Sequence, residues 1–127
     1  MKIIAVTGGS GCGKTFFTKL LVKRLSRSVV LPLDSYYFDI PEQIPTDKYD
    51  FDVPNAFDFK LFRLHVESLF HGDQVQKPNF CYDSGKRQAD CTLLKSEEYL
   101  IIEGLHVLLF PDIRNKVSFS FYNKIRD

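Results

Sequence analysis

The sequence predicts an α/β fold with a mainly parallel sheet, and three observations carry that prediction. Residues Gly8, Gly9, Ser10, Gly11, Cys12, Gly13, Lys14 and Thr15 fit G-x-x-x-x-G-K-[ST], the phosphate-binding P-loop. The loop sits between a short apolar run, Ile3–Thr7, and a segment with helical apolar spacing. Two carboxylates, Asp34 and Glu103, each follow a later hydrophobic run. Strand, glycine loop and helix in that order point to the three-layer fold of P-loop nucleoside triphosphate hydrolases. In such sheets ligands gather at the carboxyl ends of the strands.

The elements follow in chain order. Ile3–Thr7 reads as a buried strand. The loop's glycines let successive N–H groups line a concave nest, and the helix N-terminus adds positive potential. In that nest Lys14 reaches the β- and γ-phosphates and the Thr15 hydroxyl ligates Mg²⁺. A helix over 15–27 presents Phe17, Leu20, Leu21 and Leu25 on one face. Residues 28–33 form a second strand, so the unit is β-α-β and parallel. The stretch from Asp34 to Pro54 is rich in proline, acids and aromatics, and a long loop of that kind is usually functional. Asn55 caps the next helix, with Asp58 in its first turn, and His71-Gly72 ends it. Phe59, Phe62, Val66 and Leu69 share a face of that helix, and His65 reads as a surface or packing residue. Residues 75–94 suggest a small hairpin. Tyr99–Ile102 is a strongly apolar strand ending at Glu103, Pro111 opens a helical turn, and Val117–Tyr122 is a last strand.

Composition narrows the function classes. The chain has 127 residues, 44% hydrophobic and 26% charged, which suits one domain over 1–127 with one core. A net charge of +1 gives no electrostatic case for nucleic acid or an anionic membrane. No apolar run reaches membrane-span length, because the longest is broken by Glu103 and His106. No targeting peptide is visible ahead of the first strand. Three cysteines without a C-x-x-C pair fit reduced thiols in the cytoplasm, and Cys12 is read as a bystander whose backbone alone serves the loop.

The two strand-end acids suggest catalysis in addition to nucleotide binding. Glu103 after four hydrophobic residues is Walker-B-like, an acid that holds Mg²⁺ directly or through water; the alternative is a loop acid. Asp34 can accept the proton of an attacking hydroxyl; the alternative is an Asp that turns the chain. Tyr49-Asp50-Phe51-Asp52 can wall a pocket for a planar base and a ribose, although Phe51 is equally compatible with a core position.

Taken together these residues resemble the uridine kinase and phosphoribulokinase group of P-loop kinases, on the uridine kinase side. The resemblance rests on the P-loop, Asp34-Ser35-Tyr36-Tyr37, the string from Tyr49 to Asp58, Pro78–Arg87, and Ile102–His106. It implies that Asp34 is the catalytic base and Lys14 a catalytic phosphate contact. It implies that Phe51, Asp52, Phe80, Tyr82 and Arg87 bind the substrate, and that Glu103 is the Mg²⁺-associated acid. The reaction implied is ATP-dependent phosphorylation of a ribose 5′-hydroxyl on a small-molecule nucleoside. The sequence departs from the family where pyrimidine-specific members carry a base-reading histidine; Gly85 stands there. The arginine-rich lid, the adenine-binding segment and a further strand are expected to be absent, so a homo-oligomer or another partner is expected to cover that face. Two further readings stay open: a nucleotide-binding module or inactive truncated kinase, and a kinase for another small hydroxyl compound, such as nicotinamide riboside, pantothenate or a sugar phosphate. A GTPase is disfavoured, since no D-x-x-G occurs.

Overall fold

The computed structural model describes residues 1–8 and 14–122, with Lys14 and Thr15 described by their backbone alone. Six strands and three α-helices follow in the predicted order: β1 (Lys2–Thr7), α1 (Lys14–Arg24), β2 (Ser28–Pro32), α2 (Phe59–Phe70), β3 (Val75–Cys81), β4 (Lys86–Leu94), β5 (Tyr99–Glu103), α3 (Pro111–Arg114) and β6 (Val117–Tyr122). Four strands form a parallel sheet in the order β2-β5-β1-β6. The β-α-β unit from β1 to β2 steps over β5 to one side, and the link from β5 to β6 passes β1 to the other. Strands β3 and β4 form a separate antiparallel hairpin.

The central strands are buried on both faces, which is why they read as unbroken apolar runs. Alternate residues feed two cores. Ile3, Ala5, Leu100 and Ile102 pack with Phe62, Val66 and Leu69 of α2. Ile4, Val6 and Ile101 pack on the other face with Phe17, Leu21 and Leu25. Helices thus cover both faces of the sheet, giving the three layers expected. One predicted core position on α1 differs. Leu20 is exposed, and the residue turned to the interior is Thr18, for a reason that lies in the site.

The cap of α2 also differs from the sequence reading. Asn55 lies inside a 3₁₀ turn, Pro54–Ala56, whose first position suits proline. The helix starts three residues later, with Asp58 as N-cap accepting a hydrogen bond from Leu61 N at 3.1 Å. The Asp58 backbone N–H is held by Tyr36 O at 2.7 Å, which fixes where the helix begins. His65 is buried on α2, and its Nδ1 lies 2.6 Å from the Tyr36 hydroxyl. Burial pushes the imidazole pKa down, only partly offset by Asp58, so the ring is neutral and Tyr36 donates to it.

Strand β6 pairs with β1 alone among the described residues. Its period-two phenylalanines, Phe119 and Phe121, stay largely exposed, as does Tyr122, although Phe121 leans on Phe17 of α1 with ring centroids 5.1 Å apart.

Candidate active site

The carboxyl edge of the sheet gathers the sequence-predicted groups. In register, Glu103 of β5 lies opposite Val6 of β1 on one side and Pro32 of β2 on the other. Adjacent strands sit about 4.8 Å apart. Glu103 therefore falls between the start of the phosphate loop at Gly8 and the 3₁₀ turn Leu33–Tyr36, which carries Asp34. Thr18 reaches up from α1, one helical turn beyond Lys14, and its hydroxyl donates to Glu103 Oε2 at 2.5 Å. That bond explains why a threonine takes the interior position on α1. Glu103 offers a hard carboxylate oxygen ligand, and no cluster of three or more metal-ligating side chains occurs among the described residues. A single carboxylate oxygen of this kind suits Mg²⁺, which takes one or two protein oxygens together with substrate phosphates.

Gly104 makes the tight exit from β5. Its φ is +146°, its N–H donates to Val6 O at 3.0 Å, and a Cβ there would lie 2.7 Å from Leu33 Cβ. The absence of a side chain brings the Glu103 end of β5 against the turn that carries Asp34.

The hairpin supplies the other wall. Tyr37 is the hub of an aromatic cluster, with ring centroids 5.1 Å from Phe51, 5.1 Å from Phe80, 5.9 Å from Tyr82 and 4.4 Å from Phe57. Phe51 and Phe80 each approach Tyr82 to 5.3 Å. Burial, then the charge of Asp34, push the Tyr82 phenol up to about 12. The Tyr37 phenol is raised as well, by burial first and then by Asp34, Tyr82 and Asp52. Asp34, Asp52 and the two tyrosines therefore share one electrostatic neighbourhood. Lys77 ties this wall to the turn that carries Asp34, donating to Ser35 Oγ at 3.1 Å and to Asn79 Oδ1 at 2.7 Å, and burial lowers its ammonium pKa.

Arg87 stands in the same region but is engaged with protein. Its guanidinium donates to Tyr37 O at 2.9 Å and Tyr36 O at 3.3 Å and pairs with Asp58 at 3.0 Å. It clamps the loop after β2 to the cap of α2. Gly85, in the turn of the hairpin, has φ +68°, and a Cβ there would lie 3.0 Å from Ile40 Cδ1 and 3.1 Å from Thr46 Cγ2. Ile40 N donates to Gly85 O at 2.7 Å. A side chain at the position where the resemblance would put a base-reading histidine would be strained at this φ and tight against Ile40 and Thr46.

Asp52 is exposed on the turn that follows Asp50. Its N–H donates to Asp50 Oδ1 at 2.9 Å, the preceding carbonyl of Phe51 accepts from the Tyr37 hydroxyl at 3.2 Å, and its own carbonyl lies 2.6 Å from His106 Nε2.

The structure thus brings Asp34, Glu103, Phe51, Asp52, Phe80 and Tyr82 to one end of the molecule. Gly9, Ser10, Gly11, Cys12 and Gly13 lie outside the described residues, as do the side chains of Lys14 and Thr15. The sequence reading assigned no role to Tyr37, Thr18, Lys77 or His106. Tyr37 and His106 stood inside quoted motifs, but their partners are distant in the chain, and nothing local marks them.

Comparison with known proteins places the chain in a family. The model of the phosphoribulokinase / uridine kinase family matches residues 3–127. A uridine kinase from Clostridium perfringens is 34% identical over 123 residues, covering 94% of this chain and 59% of that protein. One from Clostridium tetani is 31% identical over 127 residues with the same coverage. The solved structure of a possible uridine kinase from Bacillus stearothermophilus superposes with a TM-score of 0.76 at 16% identity, covering 95% of this chain and 69% of that one, a likeness of fold. The chain spans about three fifths of the length of the curated relatives it matches.

Proposed function

The chain belongs to the phosphoribulokinase / uridine kinase family, and from that premise we propose that it transfers the γ-phosphoryl group of ATP to the 5′-hydroxyl of a nucleoside. The observation that carries the reading is the meeting of two half-sites. Glu103, between the phosphate-loop strand and the Asp34 turn, forms one half. The aromatic cluster around Tyr37, with Asp52 beside it, forms the other.

In this reading Lys14 and the loop's N–H groups hold the phosphates, and Thr15 and Glu103 hold Mg²⁺. Mg²⁺ held there would supply charge neutralisation to the transferring phosphoryl group. Phe51, Phe80 and Tyr82 meet the base face, and Asp52 accepts from ribose hydroxyls. Asp34 takes the proton of the 5′-hydroxyl as its oxygen bonds to the γ-phosphorus and the bond to the β-phosphate oxygen breaks, leaving ADP. Arg87 supports this wall through its hold on Tyr36, Tyr37 and Asp58. The open β6 face, with Phe119 and Phe121, is the surface on which we place a second copy or another covering partner.

The test is ATP consumption by the purified 127-residue chain with Mg²⁺ and a panel of nucleosides, beside Asp34→Asn. Loss of a general base lowers turnover about 10²–10⁴-fold, while ATP binding should stay unchanged because no phosphate contact is removed. Equal loss of turnover and ATP affinity would refute the assignment of Asp34. Mg²⁺-dependent ATP binding without turnover on any nucleoside would favour the nucleotide-binding module instead.

A further inference from the structure

We propose that His106 is a positioning residue for the acceptor, acting by fixing the backbone of Asp52. The inference rests on the reading of Asp52 as a ribose ligand. A carbonyl oxygen only accepts, so the 2.6 Å contact means that His106 Nε2 carries a proton and donates to Asp52 O. The ring is itself set in place. It packs edge-on against Phe57, centroids 5.8 Å apart, and near Phe59 at 6.3 Å, and Phe57 is buried beneath Tyr37.

Asp52 needs such a hold. The residue is exposed, and the turn around it lies between two 3₁₀ turns, Thr46–Lys48 and Pro54–Ala56, with no ladder to brace it. Asp50 Oδ1 holds the Asp52 amide from inside the turn, and Tyr37 holds the carbonyl before it from the cluster side. His106 approaches from the segment that follows β5, and only two residues separate it from Glu103. The carboxylate proposed to meet the ribose is thereby referenced to the strand that carries the metal-side acid. A side chain displaced by about 1 Å loses orienting power out of proportion to the distance, which gives a second, remote hydrogen bond its value.

Four variants test this: His106→Leu, His106→Gln, Asp52→Ala and the double variant His106→Leu/Asp52→Ala. Amide exchange is read in the segment 50–53, and KM and kcat are read with uridine and ATP. His106→Leu should speed exchange of the Asp52 amide and raise KM for the nucleoside about five- to tenfold, the size of one lost hydrogen bond. The ATP KM and kcat should stay near those of the parent. Glutamine carries an amide N–H at a similar reach, so His106→Gln should restore most of the loss. In the Asp52→Ala background the leucine change should add nothing. Unchanged exchange and unchanged nucleoside KM in His106→Leu, with Asp52→Ala impaired, would overturn the inference. If Asp52→Ala leaves the nucleoside KM unaltered, the ribose reading of Asp52 fails, and the exchange result still decides whether His106 holds the turn.

Discussion

Replacing Gly104 by alanine should separate the two acids of the site at a large cost in stability. The new methyl carbon would lie 2.7 Å from Leu33 Cβ and 3.3 Å from both Leu33 Cδ2 and Val107 Cγ1. Leu33 is fully buried and Val107 nearly so, and the closest atom belongs to a Cβ and not to a flexible tip, so the overlap forces backbone to move. Overpacking of this kind costs about 1–3 kcal/mol. At φ +146° a side-chain-bearing residue adds conformational strain of about 1–3 kcal/mol. The sum, about 2–6 kcal/mol, is a large fraction of a typical domain stability of about 5–15 kcal/mol. At about 4 °C per kcal/mol for a chain of this size, the melting temperature should fall by about 8 °C or more. Circular dichroism melts of the parent, Gly104→Ala, Leu33→Ala and the double variant give the answer. Leu33→Ala keeps the Cβ that makes the 2.7 Å clash and removes only Cδ2 at 3.3 Å, so it should not rescue Gly104→Ala. A Gly104→Ala melt within about 2 °C of the parent would show that Gly104 does not hold the two strand ends together.

Three other predictions concern the scaffold behind the site. Tyr36→Phe removes the donor to His65 and leaves a buried acceptor unpaired, so urea unfolding should show a loss of about 1–3 kcal/mol; an unchanged midpoint would mean that water replaces the hydroxyl. The depressed His65 pKa means that the unfolded chain binds this proton more readily than the folded one, so its contribution is complete above the unfolded pKa near 6.5 and is lost as the pH falls below it. The melting temperature should therefore drop between pH 6.5 and pH 5, and His65→Gln, which keeps an acceptor for Tyr36, should flatten that slope; equal slopes in both proteins would remove His65 as the cause. Arg87→Lys keeps the charge but not the fork that spans Tyr36 O, Tyr37 O and Asp58, and should cost about 1–3 kcal/mol in urea unfolding; a loss below 0.5 kcal/mol would mean that the charge alone is what matters.

The sheet was legible because its central strands are buried on both faces, so β1 and β5 print as apolar runs, and because the P-loop fixes strand, loop and helix in one motif. Glu103 and Asp34 were legible for the same reason: each ends such a run. The cap of α2 was not, because Asn55 and Asp58 are both good caps and the choice is made by Tyr36 O, distant in sequence, which takes the Asp58 N–H. Leu20 looked interior by spacing alone, yet the interior spot goes to Thr18, whose partner is eighty-five residues away. Tyr37 and His106 escaped in the same way. Their chemistry lies in contacts with Phe51, Phe80, Tyr82 and Asp52 that no local period encodes.

The β3–β4 hairpin shares no ladder with the main sheet. It meets the rest of the protein through side-chain contacts such as Lys77 to Ser35, Arg87 to the carbonyls after β2, and the aromatic rings around Tyr37. Separation of that kind gives the two halves of the molecule different tolerance of substitution. The half that meets phosphate is bound into every register of the parallel sheet, where a shift of one residue inverts a whole strand. The hairpin half can trade its rings and its turn as a cassette, provided that the seams at Ser35, Tyr36 and Tyr37 are kept. A change in the hairpin that keeps those seams therefore leaves the registers of the parallel sheet untouched.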